Sequence, residues 1–272
     1  MARLGGAGRR GSQRRALAEA PVVCAIGTTE PLAAAGLGAD LAVLRALNVR
    51  PVWVVAAVSA QNSSTVGKTQ ALPAALIRAQ LRSVWQQVTP ASIVVGLLPE
   101  PKTISAVCSF LDALPARPYI VVDPVMTAST GQRLATRSAL LALPRLLEHA
   151  TITTPNAGEL SSLTGLKVAT AADARVAART LHSLYGCAVL ATGGHLREGE
   201  VADIMVGDAF EKVFTSIRHR RTMRGMGGIL AAGIAARLAR GDDLVRAVST
   251  ARRFVRSTLA SARTLGHGRP QL

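Results

Sequence analysis

Six short apolar segments, separated by stretches rich in alanine and leucine, constrain the fold of this chain more than any other feature. The segments are PVVCAIG from Pro21, VWVVAAVSA from Val52, SIVVGLL from Ser92, YIVVDPV from Tyr119, ATITT from Ala150 and CAVLATG from Cys187. Each is rich in β-branched residues and continuously apolar, which is typical of strands buried on both faces of a parallel sheet. The pattern predicts an α/β fold, specifically a three-layer α/β/α sandwich with a mostly parallel central sheet.

Helices are predicted between these strands and after them. Five lie at about 36–48, 73–88, 101–113, 136–147 and 170–184, several of them beginning at a proline or a polar capping residue. Strands at about 201–206 and 210–216 are expected to form an antiparallel hairpin at one edge of the sheet, before closing helices at about 226–240 and 243–263. Because 49% of the 272 residues are hydrophobic, we expect residues 21–272 to form a single domain.

Residues 1–20 form a basic segment that we expect to lie outside the fold. Five arginines precede its first acid, Glu19, and it lacks the apolar core of a secretory signal. A disordered basic extension, an organelle transit peptide and a misassigned start site all fit such a segment. The chain has no run of about 18 apolar residues, so no membrane-spanning helix is expected. We expect a cytoplasmic protein, with an organelle as the alternative.

Charge and cysteine content narrow the classes of partner. The net charge of +16 can attract nucleic acid or can simply keep the surface solvated. The arginines are scattered, and only 3% of the residues are aromatic, so few side chains could stack on bases. A nucleic-acid partner is therefore disfavoured.

Cys24, Cys108 and Cys187 lie far apart in apolar surroundings, which predicts reduced core residues without disulfides or metal-ligand spacing.

A glycine-rich turn, RGMGGIL from Arg224, precedes the alanine-rich closing helix. The first N–H groups of a helix have no partner within the helix, and the helix dipole favours negative charge at that end. The turn, with Gly225, Gly227 and Gly228, is therefore a candidate anion site. None of its side chains could accept a proton.

Polar residues also follow the first two strands, where ligands bind in open parallel sheets. Gly27 begins the sequence GTTEPLAAAG, and Asp40 is expected in the first turn of the next helix, where it would face a ligand or belong only to a capping region. Gln61 ends the sequence SAQ after the second strand. A primary amide can donate and accept hydrogen bonds together, which suits an aminopyrimidine edge, although polar residues are also ordinary in loops.

Two later strand ends carry similar signals. Asp123 begins the sequence DPVMTASTG, where its carboxylate would either hold water or a metal ion or cap the following turn. Asn156 and Glu159 in TPNAGE have the spacing of a capping box, with Asn156 at the N-cap and Glu159 at the third helical position. On spacing alone, the structural interpretation of this pair is favoured.

Taken in order, these segments resemble the hydroxymethylpyrimidine and phosphomethylpyrimidine kinases of thiamine biosynthesis, which have the ribokinase-like fold. The resemblance runs from about Pro21 to Arg263 and covers the first-strand glycine segment ending in ADL, the AQN, DPVM and TPNxxE segments, GGH from Gly193, and the last glycine loop. It implies ATP-dependent phosphorylation of 4-amino-5-hydroxymethyl-2-methylpyrimidine, of its monophosphate, or of both. ATP and Mg²⁺ would be the cofactors, the partner would be a small-molecule pyrimidine, and a homodimer is compatible with the resemblance.

The resemblance also implies roles for individual residues. The pyrimidine site would be lined by Gly27, Asp40, Gln61 and Val125. The Mg²⁺ and nucleotide phosphates would lie near Asn156, Glu159 and Thr192, with Glu159 as the metal-binding residue. The anion hole for the transferred phosphoryl group would contain Gly225 and Gly227.

Three positions depart from the family pattern. Gly228 stands where the family has a cysteine as the presumed proton acceptor, while Thr192 and Ser129 replace two lysines. The sequence LAAAG from Leu32 adds methyl groups where the family has S-G-G-A-G, and Arg224 is either a compensating positive charge or a surface arginine. A kinase impaired by the loss of its base and a non-catalytic pyrimidine-binding protein are therefore both open. If the base is missing, Gly228→Cys is expected to raise the rate by about 10²-fold.

Overall fold

The computed structural model describes residues 20–62, 65–128, 131–193, 200–208, 210–217, 223–263 and 270, with the backbone alone at 200, 201 and 217. The strands are β1 (Val22–Thr29), β2 (Arg50–Gln61), β3 (Val66–Ala71), β4 (Ser92–Val95), β5 (Tyr119–Val122), β6 (Ile152–Thr153), β7 (Ala188–Ala191), β8 (Glu200–Gly207) and β9 (Phe210–Ile217). The helices are α1 (Gly36–Ala46), α2 (Ala74–Gln87), α3 (Pro101–Asp112), α4 (Arg137–Leu147), α5 (Ala157–Thr164), α6 (Ala171–Tyr185), α7 (Met226–Ala239) and α8 (Leu244–Ser261).

All nine strands form one sheet, in the order β3-β2-β1-β4-β5-β6-β7-β8-β9. The strands from β2 to β7 in this order run parallel. Antiparallel strands close both edges, with β3 on β2 at one side and the β8–β9 hairpin on β7 at the other. The predicted mostly parallel sheet and its antiparallel edge hairpin are confirmed.

Helices cover both faces of the sheet and make two separate hydrophobic cores. The core beneath α2 to α6 receives Cys24 and Ile26 of β1, and the core beneath α1, α7 and α8 receives Val23 and Ala25 of the same strand. Successive residues of the strand thus point to opposite faces and are buried on both, which explains why the strand sequences are continuously apolar. The three-layer sandwich is confirmed.

One strand and one helix were not among the predicted elements. The strand β3 has the sequence VGKTQA, of which only Val66 is buried. A polar, largely exposed edge strand has no apolar run to reveal it, and its pairing with β2 defines it. The short helix α5 follows Asn156, which the sequence suggested as a helix cap, although no helix was predicted there.

The predicted cysteine environment is confirmed, since Cys24, Cys108 and Cys187 are buried free thiols. Burial raises the pKa of Cys24 to about 12 and the pKa values of Cys108 and Cys187 to about 11. These thiols are therefore protonated at neutral pH. None of the helices in the described ranges has the length and apolar character needed to cross a membrane.

A capping box fixes the start of α6. The hydroxyl oxygen of Thr170 accepts a hydrogen bond from the N–H of Asp173 at 3.2 Å, and the carboxylate of Asp173 accepts one from the N–H of Thr170 at 3.0 Å. We expect Thr170→Ala to lower the free energy of unfolding by about 1 kcal/mol. Urea denaturation would measure this loss. Ser183→Ala, at an exposed position of the same helix, is the control and should change stability by less than about 0.5 kcal/mol.

Candidate functional site

The glycine turn lies where the sequence predicted it, at the start of α7. Gly225 is the N-cap, with a left-handed φ of +71°, and its carbonyl oxygen accepts the first helical hydrogen bond from the N–H of Ile229 at 2.9 Å. The N–H groups of residues 226–228 come before that bond and have no acceptor within the helix. They form the anion-binding end of α7.

The loop after β1 packs directly against this turn. A Cβ atom on Gly225 would lie 2.8 Å from the carbonyl oxygen of Ala34, so the two backbones meet at a distance that only glycine allows. Glu30 holds the loop in place, because its buried carboxylate accepts hydrogen bonds from the N–H groups of Leu32, Ala34 and Ala35. Ala33 adopts φ of +52°, a conformation that suits the glycine of the family pattern better.

Asp40 reaches the same turn from α1. It is the fifth residue of this helix, so the expectation that it lies in the first turn was wrong. Its side chain is buried, and its Oδ1 atom has no hydrogen-bond partner among the described residues. That oxygen lies 3.1 Å from where a Cβ atom on Gly228 would be. Burial, and secondarily the charge of Asp123, raise the pKa of Asp40 to about 8.

Asp123 follows β5 and faces the neighbouring glycine. Its Oδ2 atom lies 3.2 Å from the position of a Cβ atom on Gly227, and its Oδ1 atom accepts a hydrogen bond from the hydroxyl of Thr154 at 3.2 Å. Burial raises the pKa of Asp123 to about 7, and the bond from Thr154 opposes the shift. Two buried carboxyl groups from distant elements therefore lie beside the first residues of α7.

Glu159 is the third acid, at the start of α5. The predicted capping box is present: the Asn156 side-chain oxygen accepts hydrogen bonds from Gly158 and Glu159, while the N–H of Asn156 donates to the Glu159 carboxylate at 2.9 Å. Burial and the charge of Asp123 raise the pKa of Glu159 to about 8. Thr192 joins this group through a bridge to Asn156.

Gly27 and Val125 lie at the same edge of the sheet. Gly27 lies inside β1 rather than in a turn, next to a shift in the register with β2 and beside Gly96. Val125 donates its N–H to the carbonyl oxygen of Asp123 at 2.8 Å. A small cavity opens beside them, lined by Gly96, Leu98, Ile104, Asp123, Pro124, Val125, Met126, Ala135, Ala139, Leu140 and Leu143.

Gln61 belongs to β2, the strand that pairs with the edge strand β3. It ends β2 and pairs with Val66 of the edge strand, half-buried. Ser129, Gly194 and His195 lie outside the described residues.

Arg224 is not a surface arginine, because only 3% of its area is exposed. Its Nη1 atom has no hydrogen-bond partner in the described part of the chain, and its backbone N–H donates to the carbonyl oxygen of Pro270 at 3.1 Å. Nothing in the residues around Arg224 predicts this burial. Arg224 is therefore a buried basic residue directly before the anion-binding turn.

The oxygen ligands near Glu159 fit a magnesium ion that is coordinated mainly by phosphates and water. No group of three or more histidine, cysteine or acidic residues in the described ranges could hold a metal by itself. Mg²⁺ is usually bound through one or two carboxylates together with phosphates and water. A buried carboxyl whose pKa is raised by burial and a neighbouring acid is a group whose charged form a cation would stabilise.

Comparison with known proteins agrees with this geometry. The family model for phosphomethylpyrimidine kinase matches residues 30–272 of the chain. A hydroxymethylpyrimidine/phosphomethylpyrimidine kinase of Rhizobium meliloti is 34% identical over 242 residues, covering 86% of this chain and 90% of that protein. A thiamine biosynthesis bifunctional protein of Geobacter sulfurreducens is 35% identical over 236 residues, covering 86% of this chain. The chain spans only 48% of that longer protein.

Solved structures show the same fold. A phosphomethylpyrimidine kinase from Clostridium difficile superposes with a TM-score of 0.79 at 28% identity, covering 88% of this chain and 99% of that one. A pyridoxal kinase from Staphylococcus aureus in complex with AMP-PCP and pyridoxal superposes with a TM-score of 0.84 at 25% identity, covering 93% of each chain. The three-layer sandwich is therefore ribokinase-like. On the family model and on the relatives that match along most of its length, the chain belongs to the phosphomethylpyrimidine kinase family.

Proposed function

We propose that this protein uses ATP and Mg²⁺ to phosphorylate 4-amino-5-hydroxymethyl-2-methylpyrimidine, its monophosphate, or both. The observation that carries the proposal is the start of α7, where the unpaired N–H groups of residues 226–228 lie beside the carboxyl groups of Asp40 and Asp123. Phosphoryl transfer depends on such an arrangement, because the transferred group needs donors for its oxygens and the attacking hydroxyl needs an acceptor.

The candidate residues on the phosphate side of the site have separate roles in this proposal. Gly225 and Gly227 let the turn approach the transferred phosphoryl group, and the buried Arg224 adds positive charge in place of the lysines replaced by Ser129 and Thr192. Asn156 and Glu159 would hold Mg²⁺ and orient the nucleotide phosphates, with Thr192 beside them. The metal would neutralise phosphate charge.

The pyrimidine would bind at the carboxyl ends of β1, β2 and β5. Gly27 and Val125 would pack near the ring, and the Gln61 amide would pair with the aminopyrimidine edge. Because the pyridoxal kinase of Staphylococcus aureus has the same fold, pyridoxal is the competing substrate to test. The homodimer stays a prediction.

The test is direct. Purified protein, ATP, Mg²⁺ and the hydroxymethylpyrimidine should give ADP together with phosphorylated pyrimidine, detected by mass spectrometry. Pyridoxal under the same conditions should react more slowly. A pyrimidine-dependent thermal shift without any product after long incubation would instead identify a non-catalytic binding protein.

Replacing Gln61 tests the pyrimidine contact. We expect Gln61→Leu to raise the KM for the pyrimidine roughly 3- to 10-fold, the value of one or two neutral hydrogen bonds, while kcat changes little. Gln70→Leu, an exposed glutamine on the neighbouring edge strand, is the matched control and should leave both constants unchanged. An equal effect of both substitutions would remove Gln61 from the substrate site.

A further inference from the structure

The glycine at position 228 packs against a buried carboxyl group without any side chain between them. A Cβ atom on Gly228 would lie 3.1 Å from the Oδ1 atom of Asp40, closer than most side chains tolerate. Any larger residue at this position would begin against that oxygen and cover it. Gly228 is itself partly exposed, and as a glycine it places no side chain over Asp40.

Asp40 has the properties that a proton acceptor needs. Its Oδ1 atom is buried and has no hydrogen-bond partner among the described residues, so it is free to accept one from a substrate hydroxyl. Its pKa, raised to about 8 by burial and by Asp123, is close to the pH at which a general base works well. A buried carboxylate without a partner costs free energy, which favours a functional reason for keeping it.

Asp123 is a weaker candidate for the same role. Its Oδ1 atom already accepts a hydrogen bond from Thr154, and its Oδ2 atom faces Gly227 rather than Gly228. Its charge is the second cause, after burial, of the raised pKa of Asp40.

We propose that Asp40 is the catalytic base of this protein, acting through the gap at Gly228 in place of the side chain that the family carries there. This inference rests on the proposed kinase function. The hydroxymethyl O–H gives its proton to Oδ1 of Asp40 as the oxygen forms a bond to the γ-phosphorus of ATP. The bond from that phosphorus to the bridging oxygen of ADP breaks, and ADP leaves with the electron pair. Asp40 then releases the proton to solvent.

Three variants that carry Asp40→Asn test the inference. Asp40→Asn should lower kcat by about 10²-fold or more while the KM for the pyrimidine changes by less than about threefold. Calorimetry without nucleotide should show that Asp40→Asn still binds the pyrimidine. Adding Gly228→Cys to Asp40→Asn should raise kcat at least about tenfold above that of Asp40→Asn alone, because the thiolate supplies a new proton acceptor. Adding Gly228→Ala instead should restore nothing, since it brings the same Cβ atom without a thiol.

Gly228→Cys in the otherwise unchanged chain is the deciding comparison. A chain that lacks a base should gain about 10²-fold, whereas a chain that already uses Asp40 should gain nothing or lose activity as the new side chain meets the carboxylate. This measurement still decides the question if Asp40→Asn fails to fold.

Several results would overturn the inference. One is a large gain in kcat from Gly228→Cys alone. Another is a case in which Gly228→Cys restores the activity of an Asp123→Asn variant but not the activity of an Asp40→Asn variant. A third is loss of pyrimidine affinity in Asp40→Asn with kcat retained, which would make Asp40 a binding residue. Unchanged activity of Asp40→Asn in an active protein would reject Asp40 but not the kinase, whereas no turnover by the unmodified protein would reject both.

Discussion

Gly225→Ala is expected to lower the phosphorylation rate by about 10²- to 10³-fold, the usual effect of losing a positioned donor for the transition state. The new Cβ atom would lie 2.8 Å from the carbonyl oxygen of Ala34 and 3.2 Å from the Cα atom of Ala35. Both atoms belong to the backbone, so the loop and the helix start would have to move apart. The N–H groups of residues 226–228 would then lose their position beside Asp40 and Asp123.

The same substitution should also destabilise the protein. A left-handed φ of +71° is unfavourable for alanine, and together with the contact it should cost on the order of 1–3 kcal/mol. Steady-state kinetics and urea denaturation would separate the two effects.

Gly186→Ala is the matched control for Gly225→Ala. Gly186 ends α6 with φ of +69°, and a Cβ atom there would meet nothing within 4 Å. It should show the stability cost of the backbone, about 1–2 kcal/mol, with kcat unchanged. Equal activity of the two variants would mean that the contact between Gly225 and Ala34 does not position the site.

The buried carboxyl groups predict a second large effect, on stability as a function of pH. Burial raises the pKa values of Asp40 and Glu159 to about 8 and that of Asp123 to about 7, against values near 4 in the unfolded chain. Between pH 4 and pH 8 the folded state therefore binds more protons than the unfolded state. The free energy of unfolding contributed by these groups is then greatest below about pH 4 and is lost as the pH rises through about 8.

Asp40→Asn should remove one part of this pH dependence. As the pH rises from 5 to 8, a single such group can lower the free energy of unfolding by at most about 4 kcal/mol. The Tm of Asp40→Asn should therefore be several degrees above that of the unmodified protein at pH 8, but close to it at pH 5. Thermal unfolding without Mg²⁺ or nucleotide at both pH values is the measurement. Asp208→Asn, at an exposed aspartate, is the control and should not change the slope. A parallel pH dependence of Asp40→Asn and the unmodified protein would show that Asp40 titrates normally.

Much of the fold could be predicted because its signals are local. The strands β1, β4, β5, β6 and β7 are almost entirely buried, so their sequences are mostly apolar. The capping box of Asn156 and Glu159 and the turn at Gly225 involve neighbours in sequence, and both formed where expected. The strand β3 was missed because its stability comes from pairing with β2 and its side chains are mostly exposed.

The sequence indicated which residues belong to the candidate site better than it indicated how they contact one another. The ordered motifs of the family resemblance indicated Asp40, Glu159 and the glycine turn. They did not indicate that Asp40 would face Gly228, or that Asp123 would face Gly227. The sequence suggested that a proton acceptor was absent, whereas the packing of α1 against α7 brings a carboxylate to the vacant position.

The sequence by itself determined the three-layer α/β/α class of the fold and the anion-binding turn, because apolar periodicity and helix capping are properties of neighbouring positions. The resemblance of its ordered motifs to the kinase family indicated the ribokinase-like fold and the missing side chain at Gly228. The tertiary structure alone decided which groups surround that gap. Asp40, Asp123 and Glu159 come from α1, the end of β5 and α5, and their raised pKa values arise because folding removes water from all three and brings their charges together. Burial and charge proximity depend on the packed chain, and no single segment encodes them.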